Sequence, residues 1–111
     1  SLQWSLGLVK QMSNLQKSLI QTAYDNLNPG GTLVYSTCSL EPEEDEEVVD
    51  HLLNKREDAK LKKIDLPVKS TPCFLEYGKR TYSSEIKKCL RIWPQDNDSD
   101  GFFIAKIQKH L

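Results

Sequence analysis

The sequence predicts an α/β chain, and specifically the back end of an open sheet rather than a whole one. Three observations lead there. Helical and extended patterns follow one another in the order helix, strand, helix, strand, loop, strand over 111 residues. Residues 32–37 (Thr-Leu-Val-Tyr-Ser-Thr) are β-branched and apolar without clean alternation, as expected of a strand covered on both faces. The pattern supplies only three strands, whereas a doubly wound sheet needs about five or more. Residues 1–111 therefore read as one part of a larger domain.

Each element has its own signal. Over residues 8–27, Leu8, Met12, Leu15, Leu19, Ala23 and Leu27 recur at steps of three or four, which makes one apolar stripe of a helix. Asn28-Pro29-Gly30-Gly31 stops it, because Pro removes a donor and Gly accepts left-handed dihedrals. Residues 32–37 follow as the first strand. Residues 42–54 read as a second helix with Pro42 at its first position, where the missing N–H costs nothing. The acidic run from Glu41 to Glu47 complements the helix dipole and reads as a solvated helix start. Val48, Val49, Leu52 and Leu53 supply the buried stripe. Residues 61–66 alternate as a short strand. Residues 67–90 look loop-rich, with Pro67, Pro72 and Gly78, and 91–94 (Arg-Ile-Trp-Pro) as a brief extended piece. A polar loop at 95–101 leads into a last strand at 102–108. Trp4 and Tyr35 read as core aromatics.

Composition narrows the function classes. No apolar run approaches the ~20 residues of a membrane span, and no signal-peptide pattern is present. Three cysteines, Cys38, Cys73 and Cys89, cannot all pair within one chain, so reduced thiols inside the cell are expected. Neither Cys-x-x-Cys nor His-x-x-x-His occurs, so no metal site is expected. The net charge is only −1 but it is unevenly spread. Residues 1–54 carry two basic and eight acidic side chains, and residues 55–91 carry eleven basic and five acidic. Lys60, Lys62, Lys63, Lys79, Arg80, Lys87, Lys88 and Arg91 are candidates for contact with nucleic-acid phosphates, and a solvated surface is the alternative.

Cys38 carries the chemistry. It closes the first strand and precedes the second helix, where a side chain is accessible and rigidly held. A helix start near Pro42 would favour thiolate, the neighbouring carboxylates would oppose it, and a small buried hydrophobe is the alternative role.

Residues 30–44 (Gly-Gly-Thr-Leu-Val-Tyr-Ser-Thr-Cys-Ser-Leu-Glu-Pro-Glu-Glu) resemble the Thr-Cys-Ser motif of the Nop/Sun family of RNA cytosine-5 methyltransferases. The closing residues 91–94 and 100–106 (Asp-Gly-Phe-Phe-Ile-Ala-Lys) resemble that family's last segment, and the helix at 8–27, with Gln16 and its Pro-Gly-Gly exit, is similar too. Gln95 departs from the His often found there. The resemblance implies the C-terminal portion of a Rossmann-like class I methyltransferase sheet, with the strands at 32–37 and 102–108 adjacent and the last antiparallel. It implies that Cys38 adds to cytosine C6, so that C5 can take a methyl group from S-adenosylmethionine. The base must then be unstacked. Asp100-Gly101-Phe102-Phe103 reads either as a turn into a core strand or as placing a Phe ring near the cytosine pocket. The family's Gly-rich cofactor loop and Asp-x-Pro-Cys motif lie upstream of the Thr-Cys-Ser strand and are absent here. Thr71-Pro72-Cys73 is only superficially similar to the latter, so Cys73 and Cys89 are expected to be structural or incidental. The expected partners are tRNA or rRNA and the missing N-terminal half of the domain, without membrane or metal. The expected location is cytoplasmic or nuclear/nucleolar, and the fragment alone is expected to be inactive. Two rival roles remain: a non-catalytic RNA-binding or assembly module with Cys38 structural, and a thiol hydrolase, which would need His51 or His110 beside the sulfur.

Overall fold

The structure is a computed structural model that describes residues 2–39, 41–66, 70–93 and 101–110, with only the backbone of 2–9. The order is α1 (Leu2–Asp25), β1 (Thr32–Thr37), a 3₁₀ turn (Pro42–Glu44), α2 (Glu46–Lys55), β2 (Ala59–Lys62), β3 (Glu76–Tyr77), β4 (Arg80–Thr81), a second 3₁₀ turn (Ser84–Lys88), β5 (Leu90–Ile92) and β6 (Phe102–Lys109). The α/β class and the helix-strand-helix-strand sequence hold. β3 and β4 form a hairpin that the sequence reading left as loop.

The last strand organises the sheet. β6 is antiparallel to β1 along its length, with Thr37 opposite Phe103 and Thr32 opposite Gln108. On its other side β2 and β5 share it end to end: β2 pairs from Ala59↔Lys109 to Lys62↔Lys106, and β5 from Leu90↔Ile104 to Ile92↔Phe102. The predicted adjacency and antiparallel sense of β1 and β6 are therefore present. β2 begins two residues before, and ends four residues before, the 61–66 that its pattern suggests.

α1 and α2 cover one face of this sheet. Ile20 and Tyr24 of α1 and Val48, Val49 and Leu52 of α2 pack with Leu61, Phe103, Ala105 and Ile107 in one core. The opposite face, bearing Val34, Ser36, Phe102 and Ile104, has no layer over it among the described residues, and β1 alternates exposed and half-buried residues. The expectation of a doubly covered β1 is thus not met within this chain. The predicted α1 stripe is corrected as well: the inward residues are Ser13, Ile20 and Tyr24, while Leu15 and Leu19 are about half exposed at 50% and 53%. Leu8 and Trp4 have side chains outside the described residues, as do Leu40, Pro67, Pro94 and the 95–100 part of the polar loop.

The link between α1 and β1 is tight. Gly30 takes φ 82°, a left-handed value that suits Gly, and Gly31 N–H donates to the Asn28 carbonyl at 2.8 Å. Gly30 N–H and Gly31 O then bond Lys109, so the turn feeds directly into the β1–β6 ladder. That alignment delivers the residue after Thr37 to the carboxyl end of β1, beside Phe102.

Candidate active site

Cys38 is exposed and sits one residue past β1. It opens on a cavity of about 570 Å³ lined by Gln16, Ser36, Thr37, Phe102 and Ile104. The lining joins three elements: α1 supplies Gln16, β1 supplies Ser36 and Thr37, and β6 supplies an aromatic and an aliphatic wall. Phe102 is the aromatic that lines this cavity. Phe103 points to the opposite face, where it is fully buried and meets Tyr35 edge-on at 6.4 Å.

The segment that follows Cys38 is held by its own side chains. Ser39 N–H donates to Thr37 Oγ1 at 2.9 Å, and Ser39 Oγ accepts from Glu41 N–H at 3.1 Å. Such short side-chain-to-backbone bonds let Ser and Thr fix a chain that has left regular structure. Ser39 Oγ also donates to Glu44 Oε2 at 3.1 Å, Tyr35 Oη donates to the Glu44 carbonyl at 2.6 Å, and Ser13 Oγ donates to the Glu43 carbonyl at 2.5 Å. β1 and α1 thereby both grip the exit from Cys38.

The acidic run is solvated only at its start: Glu41 is exposed and Glu43 and Glu44 are half-buried, whereas Asp45, Glu46 and Glu47 turn inward. Asp45 and Glu46 are fully buried and Glu47 nearly so. Glu47 takes Lys17 Nζ at 2.7 Å and Arg80 Nε at 3.2 Å. Glu46 accepts Arg91 Nε and Phe74 N–H at 2.8 Å each, and a further, closer bond from Arg91 Nη2. Asp45 Oδ2 accepts from the same Nη2 at 3.1 Å, and Asp45 Oδ1 has no partner among the described residues. One guanidinium thus serves two buried carboxylates. Glu46 takes it with both oxygens. Burial pushes Asp45 up to about 8 against the lowering pull of Arg91, with the charges of Glu46 and Glu44 adding to the rise.

Arg91 is accordingly removed from the phosphate-contact candidates: it is 1% exposed and lies over the rings of Phe74, Trp93 and Phe103 at 5.0, 5.5 and 5.9 Å. Arg80 pairs with Glu47 and Lys88 with Glu85. Lys60, Lys62, Lys63, Lys79 and Lys87 stay exposed. The acidic and basic halves of the sequence therefore satisfy one another in part. Helical spacing held the clue: Asp45, Val48, Val49 and Leu52 fall at i, i+3, i+4 and i+7, so Asp45 belongs to the buried stripe.

Cys73 and Cys89 are buried, with Cys73 Sγ donating to the Cys89 carbonyl at 3.3 Å. Burial, then the nearby Glu46, push the Cys73 thiol up to about 12, which suits an inert core thiol. His51 lines a different cleft, with Lys17, Asp50, Asn54 and Arg80. Among the described residues no hydrogen bond joins either imidazole to Cys38, so the hydrolase arrangement is not present. No cluster of His, Cys, Asp and Glu suited to a metal occurs among them, and no helix there is long and apolar enough to cross a membrane. Among the described residues that line the Cys38 cavity there is no carboxylate.

Comparison with known proteins supplies the remaining findings. Residues 5–108 match the family described as 16S rRNA methyltransferase RsmB/F. The chain is 56% identical over 106 residues to the tRNA (cytosine(49)-C(5))-methyltransferase of Pyrococcus abyssi, covering 96% of this chain and 34% of that one. It is 40% identical over 106 residues to the ribosomal RNA small subunit methyltransferase F of Vibrio cholerae, covering 96% of this chain and 21% of the relative. Among solved structures, a methyltransferase homolog protein from Pyrococcus horikoshii superposes with a TM-score of 0.81 at 40% identity, over 91% of this chain and 32% of that one. NSun6 from the same organism, solved with SFG, superposes with a TM-score of 0.68 at 32% identity, over 87% of this chain and 22% of that one. The chain thus spans about a third or less of each of these relatives.

Proposed function

This chain belongs to the RsmB/F family of 16S rRNA methyltransferases, and on that basis we propose that it is the C-terminal half of an RNA cytosine-C5 methyltransferase domain in which Cys38 is the nucleophile. The observation that carries the reading is the exposed sulfur at the carboxyl end of β1, in a cavity walled by Phe102 and Ile104. A flipped or single-stranded cytosine has a flat π-face for Phe102 and an electrophilic C6 for Sγ. Sγ bonds to C6, and the electron pair of the C5–C6 double bond passes to C5, which becomes enamine-like. After C5 has been alkylated with that pair, a base takes the C5 proton, the C5–H bonding pair re-forms the C5–C6 double bond, and Sγ leaves C6 with the S–C6 bonding pair. The methyl donor of the reading is S-adenosylmethionine, held by residues outside this chain. Relatives about three or more times as long as this chain support that division, as does the solution of one of them with SFG, an analogue of that donor.

The free sheet surfaces support the same division. β1 has β6 on one side and no strand on the other among the described residues. Val34 at 59% exposure, Leu15 and Leu19 leave apolar surface around that edge. An edge and faces of this kind suit cover by the cofactor-binding half of the domain. The substrate is tRNA or rRNA, and the exposed lysines of β2 and its surroundings are available to its phosphates. An RNA substrate makes the protein intracellular.

The test uses the intact protein and an RNA carrying 5-fluorocytidine at the target. Fluorine at C5 cannot leave as a proton, so the sulfur–C6 bond survives denaturation. A covalent protein–RNA band is expected from the native protein and its loss from Cys38→Ala, together with loss of methylation. Methylation retained by Cys38→Ala at the native rate would instead make Cys38 structural.

A further inference from the structure

The nucleophile reading leaves open what holds Cys38 at a fixed height and direction over the cavity. We propose that Arg91 is a positioning residue for Cys38, because its single guanidinium ties together the two chain segments between which that sulfur hangs. The inference rests on Cys38 being the reacting group.

The first segment is the end of β1. Thr37, next to Cys38, is paired in register with Phe103, and the Phe103 ring lies 5.9 Å from the Arg91 guanidinium. Arg91 is itself the register partner of Phe103 on the other side of β6. Thr37, Phe103 and Arg91 thus form one row across three strands. The second segment is the exit from Cys38. Arg91 bonds Glu46 through both carboxylate oxygens and Asp45 through one. Asp45 follows Glu44 directly, and Glu44 takes the Ser39 hydroxyl on its carboxylate and the Tyr35 hydroxyl on its carbonyl. The route from guanidinium to sulfur is therefore short on both sides: one strand row on one, and Asp45, Glu44 and Ser39 on the other.

The chemistry of the cluster favours this role over simple cohesion. Three ionisable side chains at 0–1% exposure are a costly way to hold two elements together, since apolar residues of the same volume hold them at least as well. What a guanidinium adds is direction. Its planar fork fixes a carboxylate in distance and in plane, and its centre lies over the rings of Phe74 and Trp93. An ammonium keeps the charge but loses the fork. Covalent attack at a ring carbon depends on approach geometry, and a displacement of about 1 Å in such an arrangement costs on the order of a hundredfold in rate.

Arg91→Lys in the intact protein tests this, at a temperature where circular dichroism reports the native fold. Four quantities are read: kcat and KM for RNA methylation, the rate at which iodoacetamide alkylates Cys38, and the yield of the 5-fluorocytidine adduct. The expected result is a fall in kcat of about tenfold or more, KM for RNA within about twofold of native, and a Cys38 alkylation rate changed by about threefold or more. A folded Arg91→Lys with kcat and alkylation both within about twofold of native overturns the proposal. If Arg91→Lys does not fold, Glu46→Gln, which keeps the side-chain volume and weakens the fork, is judged by the same two criteria. Failure of the nucleophile reading has a different signature: the native protein then forms no adduct, while the alkylation comparison still reports on how Arg91 holds the sulfur.

Discussion

At Asp45 one carboxyl oxygen accepts from Arg91 while the other has no partner among the described residues, and the side chain is fully buried. The groups facing it are Arg91, Glu46, Glu44 and, from β1, Tyr35. Only one of them is a cation, and Glu46 already occupies it with both oxygens. The folded state therefore holds the Asp45 proton up to about pH 8, whereas the unfolded chain releases it near the ordinary value of about 3.9. The sign follows from proton binding. The folded form binds more protons between those values, so the stability due to this group is complete below about pH 4 and is lost as the pH rises through 8. Urea unfolding should show a lower midpoint at pH 9 than at pH 6. Asp45→Asn, which imitates the protonated acid, should hold the midpoint level across that range. A native midpoint unchanged between the two pH values would show that Asp45 is already ionised at neutral pH.

Elements differ in how far the sequence exposes them. β1 was legible to the residue, because Pro-Gly-Gly and a β-branched run bracket it. The same turn offers a sharp test. A Cβ on Gly31 would lie 2.9 Å from the Asn28 carbonyl, which already accepts the Gly31 N–H. That oxygen cannot retreat without breaking its own bond. Gly31→Ala should cost about 1–3 kcal/mol, read as a drop in thermal midpoint, with no change in Cys38 alkylation at low temperature. β2 was misplaced for a reason no local pattern holds. Ile64, Asp65 and Leu66 alternate again after Lys62 and Lys63, but from Ile104 back to Phe102 that side of β6 belongs to β5, so the ladder stops. The β3–β4 hairpin was missed because two-residue strands carry almost no periodicity, although Gly78 at φ 62° marks its turn. Cys38 was legible from its place between strand and helix. The buried acids beside it were not, because a run of six carboxylates in seven residues looks like surface until its helical register is compared with Val48, Val49 and Leu52.

At the scale of the molecule, the two charged halves of the sequence meet. Asp25 pairs with Arg56, Glu47 with Lys17 and Arg80, and Asp45 and Glu46 with Arg91. Apolar surface also stays uncovered: Leu15 and Leu19 on the outer side of α1, and Val34 beside the edge of β1 that has no strand among the described residues. The sequence marked Leu15 and Leu19 as buried, and the proposed domain division reconciles that pattern with their exposure, because the stripe faces the other half. Leu19→Glu separates the two situations. In the isolated chain the carboxylate stands in water on an exposed helix face, so stability should change by no more than about 0.5 kcal/mol, and self-association measured by light scattering should fall. In the intact protein the same carboxylate would be buried without a partner, and unfolding free energy should drop by about 2 kcal/mol or more. An intact protein as stable with Leu19→Glu as without it would mean that the outer side of α1 stays in solvent, and the remaining half of the domain would have to join this chain elsewhere.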